Sequence, residues 1–168
     1  KGWTPLHCSA LVGSARMTRV LLALGAAPDP EDAGKQTPLH FCVALYEPEV
    51  AELLLSAGAD SNAAVRGNGL RPIHFAALSG NAPVVELLIA KGADISAVDA
   101  RGWTVLHICA LKGHRDLAEY FLSQGAVGSL PEIRGLTPPM IAAGLGYTEL
   151  AAILGASTGP VAEPLPRE

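Results

Sequence analysis

The feature that most constrains this chain is a period. The tetrapeptide TPLH occurs at residues 4–7 and returns at 37–40. RPIH follows at 71–74, TVLH at 104–107 and TPPM at 137–140, so the steps are 33, 34, 33 and 33 residues. Two glycine positions keep the same phase. One lies nine residues after the first motif letter, at Gly13, Gly80, Gly113 and Gly146; the other lies 21 after it, at Gly25, Gly58, Gly92 and Gly125. A self-similar period of this length describes an array of small supersecondary units, each burying its apolar face against its neighbours. A single core drawn from distant parts of the chain would need no such register.

Each unit reads as two short helices. Thr4 is suited to the N-cap, where its hydroxyl accepts an otherwise unpaired first-turn amide. Pro5 then occupies the first helical position, where a missing N–H costs nothing. The helix runs through small residues (HCSALV, HFAALS) to a glycine that ends it in a left-handed conformation. A second helix places apolar residues at matching offsets: Val50, Leu53 and Leu54; Val84, Leu87 and Leu88; Leu117, Tyr120 and Phe121. A Gly-Ala-Asp or Gly-Ala-Ala segment stops it, and polar loop residues lead into the next Gly-x-Thr.

With the 33-residue period, the Thr-Pro-Leu-His motif and the Gly-Ala-Asp ending all in phase, the chain resembles the ankyrin repeat family over residues 2–158. The resemblance implies an all-α solenoid of stacked helix-turn-helix units with projecting β-hairpin-like loops. Five repeats are expected, at about 1–33, 34–67, 68–100, 101–133 and 134–158, as one domain over 1–158. The segment 159–168 has three prolines in ten residues and little to bury, and reads as a disordered tail or linker.

The departures are specific. Tyr46 stands where the other repeats have their first glycine, and Pro48 follows it. One extra residue sits in AAVRGNGL before repeat 3, where Arg71 also replaces the capping threonine. Repeat 5 has Met140 in place of the histidine, lacks Gly-Ala-Asp, and is expected to have a short second helix around 149–154. Terminal repeats of such arrays are commonly atypical.

His7, His40, His74 and His107 share one repeat position, with Cys8, Cys42 and Cys109 close by. A metal site would need ligands within about 2.0–2.3 Å of one ion, whereas packed helices stand roughly 8–10 Å apart. One ligand per repeat does not converge, and each local His-Cys pair offers only two. The histidines are expected to bond backbone groups of their own or the adjoining loop, because buried polar groups are nearly always partnered. Cys42 and Cys109 are expected to be buried small apolar groups. Three sparse cysteines form no disulfide framework and fit a reducing, intracellular setting, cytoplasmic or nuclear. No third orienting group recurs beside a Cys-His pair, and the shallow face implied by the resemblance offers no closed pocket. The loop Gly67-Asn68-Gly69 lacks the Lys-Ser/Thr of a phosphate-binding loop. No catalysis, cofactor or metal is expected.

The formal charge is −4, and no basic block exists to suit nucleic acid. The most apolar region, 135–158, is broken by Pro138, Pro139, Gly144, Gly146 and Glu149, so no membrane insertion is expected. The partner implied by the resemblance is another protein, held in the concave groove of loop tips and first helices by a monomeric array. Carried over position by position, the tip residues are Trp3, Gln36, Leu70, Trp103 and Leu136. The helix residues include Leu11 and Val12, Ala44 and Leu45, Leu78 and Ser79, Leu111 and Lys112, and Gly144 and Leu145. Four tips are apolar, and both tryptophans of the chain fall at this one position. Apolar patches rimmed by polar groups mark binding surfaces, and tryptophan is enriched at interface hot spots. The expected ligand is an apolar or amphipathic segment, oriented by Arg101, Lys112 and Arg134. The competing reading is that these side chains pack on the neighbouring loop and stiffen the stack.

The second helices carry Glu49, Glu52, Glu86, Asp116, Glu119 and Glu149, a solvated face or a second, acidic binding site. Asn62 falls at the repeat's usual asparagine, where the family is sometimes hydroxylated. A non-catalytic interaction module is the function expected. The alternative is the targeting or regulatory region of a larger enzyme or channel, which the first residue, Lys1, and the missing loop before repeat 1 favour.

Overall fold

A computed structural model describes residues 2–156, and the 159–168 segment lies outside them. Within that range the chain forms ten helices in five consecutive pairs. The first members are α1 (Pro5–Leu11), α3 (Pro38–Ala44), α5 (Pro72–Ser79), α7 (Val105–Lys112) and α9 (Pro138–Gly144). The second members are α2 (Ala15–Ala23), α4 (Pro48–Ser56), α6 (Ala82–Ala90), α8 (Arg115–Ser123) and α10 (Thr148–Ala156). The first helices pack in a row, α1 on α3, α3 on α5, α5 on α7 and α7 on α9. In the second row α2 meets α4, α4 meets α6, and α8 meets α10.

The periodic residues account for this stacking. Leu6, Leu39, Ile73 and Leu106, two residues after the cap, are all buried. Five residues after the cap stand Ser9, Cys42, Ala76, Cys109 and Ala142, again all buried. All five are small, which lets neighbouring first helices pack closely. Leu54, Leu88, Phe121 and Leu154 fill the equivalent site on the second helices without exposure. Each such side chain contributes about 1.5–3 kcal/mol by leaving water. In repeat 1 Leu21 holds this position half-buried, and Thr18, one turn earlier, donates through Oγ1 to Ser9 Oγ at 3.0 Å while Ser9 donates to the Leu6 carbonyl.

Helix ends follow the motif. The cap residues Thr4, Thr37, Arg71, Thr104 and Thr137 are all extended, with φ between −91° and −109°. Gly80 and Gly113 close α5 and α7 at φ 71° and 72°. Tyr46 takes the same left-handed conformation, φ 67°, despite its Cβ.

One expectation about repeat 5 is corrected. Its second helix is not short: α10 has nine residues, as do α2, α4, α6 and α8. Leu150 and Leu154 recur in phase and are buried against the preceding pair, so the missing Gly-Ala-Asp does not shorten the helix before it.

Candidate partner-binding surface

The projecting segments are tight turns stitched edge to edge. Within three of them the chain closes on itself through backbone bonds: Asp32 N–H to the Gln36 carbonyl at 3.0 Å, Asp99 to Trp103 at 3.0 Å, and Glu132 to Leu136 at 2.9 Å. Between turns, Arg66 N–H donates to the Gly34 carbonyl, Ala100 to Asn68, and Ile133 to Arg101. A carboxylate five residues before each threonine organises the tip. Asp32 Oδ1 accepts from the amides of Gly34 (2.8 Å) and Gln36 (2.9 Å), Asp99 Oδ1 from Arg101 and Trp103, and Glu132 Oε1 from Arg134 and Leu136. Slight desolvation opposes ionisation of Asp32, but the Gln36 and Gly34 amides and the Trp3 indole outweigh it and hold its carboxyl below the usual range. This acid is absent from the sequence-derived site residues, although its recurrence at a fixed offset marks it.

The extra residue before repeat 3 lengthens one turn. Val65 N–H donates to the Leu70 carbonyl, and Gly69 N–H reaches back to Val65, one residue further than the equivalent bond from Lys35 to Asp32. Val65 has no carboxylate, so Asn68 Oδ1 takes the Leu70 amide instead.

The histidines tie the turns to the helices. His7 Nδ1 accepts from the Thr4 amide at 3.1 Å, so the proton is assigned to Nε2, which lies 3.0 Å from the Gln36 carbonyl of the next turn. Thr4 Oγ1 lies 3.0 Å from the same Nδ1, so the threonine hydroxyl faces the ring. His107 repeats this with Thr104 and the Leu136 carbonyl. At the longer turn His40 bonds the Ala63 carbonyl in place of the tip carbonyl. His74 Nδ1 accepts from the Arg71 amide, but its buried Nε2 has no hydrogen-bond partner among the described residues. Burial pushes the pKa of His40, His74 and His107 below the ordinary imidazole value, which keeps the rings neutral. Burial also pushes the Cys42 and Cys109 thiols up to about 12, while Cys8 is exposed.

Of the sequence-derived surface residues, Trp3, Leu11, Val12, Ala44, Leu45, Leu111, Lys112, Leu136, Gly144 and Leu145 are exposed, as are Arg101 and Arg134. Gln36, Leu70, Leu78, Ser79 and Trp103 are half-buried. Five of them meet in one place. Leu70, Leu78, Arg101, Trp103 and Leu111, with Ile108, line an open hollow of about 380 Å³ between the third and fourth turns. The lengthened turn supplies one wall through Gly67 and Asn68. A second hollow of about 390 Å³, on Arg101, Trp103, Ile133, Arg134 and Leu136, adjoins it, with Trp103 contributing to both.

The two tryptophans differ. Trp3 remains 42% exposed, yet it meets Phe41 edge-on at 5.2 Å and stacks over His7. Its apolar character thus has a folding reason, in line with the competing reading that tip side chains pack against the neighbouring repeat. Trp103 packs against its own His107 at 5.8 Å and against the core, and Ile141 occupies the position equivalent to Phe41.

A stack of helix pairs with stitched turns and an open groove is a repeat scaffold for recognition. Residues 1–65 and 62–132 match the family described as ankyrin repeats (3 copies), and the chain belongs to the ankyrin repeat family. Over 72 residues, 43% of its length, the chain is 38% identical to the human neurogenic locus notch homolog protein 4; that stretch is 4% of the human protein. Ankyrin repeats serve generally as protein–protein interaction modules and are typically non-catalytic. No helix among the described residues is long and apolar enough to cross a membrane.

Proposed function

We propose that this chain is a non-catalytic module that holds an apolar or amphipathic segment of another protein in its concave groove. The observation that carries the reading is the hollow walled by Leu70, Leu78, Trp103, Ile108 and Leu111. Five apolar side chains from two turns and two first helices converge there on one hollow. A single apolar anchor in such a hollow, ringed by polar groups, is the usual architecture of an interaction hot spot. Repeats 3 to 5 therefore form the centre of the site. Trp3, Leu11, Val12, Gln36 and Leu45 extend the same face toward repeat 1. The alternative remains a targeting or regulatory region of a larger enzyme or channel; the matched stretch is a small part of the human relative.

Peptide-display selection on the full chain tests the groove. Leu111 is exposed and is not part of the helix-packing core, so Leu111→Gln leaves folding intact. Selected peptides that bind the wild type and lose binding to Leu111→Gln support the proposal. Peptides that bind both proteins equally place the interaction elsewhere and refute it.

A further inference from the structure

Resting on that groove reading, we infer that the segment it holds is acidic: an amphipathic stretch with carboxylates beside its apolar anchor. The chain as a whole is negative, at −4, but the rim of the groove in repeats 3 to 5 is not. The tip carboxylates of Asp99 and Glu132 each have one oxygen committed to two amides of their own turn, and Glu132 is buried. The cations have no such anchor. Arg66, Arg101, Lys112 and Arg134 are all exposed and none forms an ion pair among the described residues. Arg101 lines both hollows and Arg134 the second.

Of the four other arginines among the described residues, three are paired, and Arg16 on the second helix α2 is not. Arg19 pairs with Glu49, Arg71 with Asp94, and Arg115 with both Glu119 and Glu149. Three acids of the second helices, Glu49, Glu119 and Glu149, thus have basic partners within the fold, whereas the basic side chains around the apolar hollow have none among the described residues. An acidic segment entering the groove places its apolar side chain against Trp103, Leu78 and Leu111. Its carboxylates then meet Arg101 and Arg134, whose planar forks suit bidentate carboxylate binding. A basic segment is repelled, so the rim selects by charge while the hollow supplies contact area.

The test compares random-peptide display selections on three forms of the full chain: wild type, Leu111→Gln, and the double variant Arg101→Gln/Arg134→Gln. Thermal melts establish that all three are folded. The expected winners on the wild type carry Asp or Glu beside Leu, Ile, Phe or Met and fail on Leu111→Gln. Resynthesised, they bind the double variant about tenfold more weakly and lose affinity as salt is raised. Winners that need Leu111 but are neutral or basic, or that ignore the double variant, overturn the acidic assignment and leave the groove in place. Winners indifferent to Leu111→Gln, or none at all, overturn both. Self-association of the wild type that Leu111→Gln abolishes assigns the face to a second copy of the chain and also overturns the inference.

Discussion

The indole N–H of Trp3 donates to Asp32 Oδ2 of the next turn at 3.2 Å. The equivalent acid beside Trp103 is Glu132, and its Oε1 accepts from the Arg134 and Leu136 amides. Two residues at one repeat position therefore have different surroundings. Trp3→Phe removes one partly exposed hydrogen bond and is expected to cost about 0.5–1.5 kcal/mol, with groove ligands bound as before. Trp103→Ala is expected to weaken those ligands about tenfold or more. Urea melts and fluorescence-anisotropy titrations of the selected peptides separate the two effects; equal affinity losses for both would contradict the distinction.

Asp29 occupies the position that Asn62 holds one repeat later. Asn62 Oδ1 accepts from the Asp94 amide at 2.8 Å and its Nδ2 donates to the Gly92 carbonyl at 2.9 Å. Asp29 Oδ2 makes the first bond, to the Asp60 amide at 2.7 Å, but its buried Oδ1 has no partner. Asp29→Asn restores a donor facing the Gly58 side of the loop and should stabilise the fold by about 1 kcal/mol. Desolvation raises the Asp29 pKa, the Asp60 amide opposes it, and the Asp60 charge adds to it. A raised carboxyl pKa favours the protonated folded state, so its stabilising contribution is lost as pH rises from 3.8 through the folded value. The advantage of asparagine is therefore largest at neutral pH and shrinks toward pH 4, which paired thermal melts would show.

Tyr46 is held at φ 67° where repeats 1, 3, 4 and 5 use glycine. A left-handed conformation costs a side-chain-bearing residue roughly 1–2 kcal/mol. At the equivalent Gly80 and Gly113, the next repeat's His114 and Tyr147 lie so close that a Cβ would meet their rings at 2.9 and 2.8 Å. Repeat 3 has the smaller Asn81 at that position, with its Oδ1 turned to cap the Val84 amide. Tyr46→Gly is expected to raise stability by about 1 kcal/mol in denaturant melts, whereas Gly113→Ala should lower it by more.

The buried neutral histidines set an acid limit. Burial lowers the pKa of His40, His74 and His107 in the folded state below 6.5. The unfolded chain therefore binds more protons between those values and 6.5. This contribution is complete above 6.5 and is lost as pH falls through the folded values. Melting temperature should decline as buffers are stepped down from pH 7 to pH 5, and a flat profile would refute the neutral assignment.

Thiol titration should separate the three cysteines. Cys8 is exposed, whereas Cys42 and Cys109 are buried with pKa values near 12, and only thiolates react rapidly. One thiol per folded chain should react with an aromatic disulfide reagent, and three after denaturation.

Much of this molecule was readable from the period alone. Capping threonine, proline and terminal glycine act within a few residues, so the helix pairs followed from local chemistry, and the all-α stack from the family resemblance that those motifs carry. The backbone bonds of His7, His40 and His107 follow the expectation for buried rings, whereas Nε2 of His74 lacks the partner expected of it among the described residues. α10 is longer than the missing Gly-Ala-Asp suggests, because Leu150 and Leu154 keep the core phase.

What only the tertiary structure decided lies between residues about one repeat apart. Whether Trp3 is tied down depends on Asp32 and Phe41; whether Asp29 lacks a partner depends on what the next repeat presents to its second oxygen. The hollow at Trp103 lies where two turns of unequal length meet above two first helices. Those facts depend on which side chains stacking brings face to face. A repeat sequence determines its unit and its spacing through short-range bonding, but the surface between units is set by pairs that become neighbours only once the array has folded.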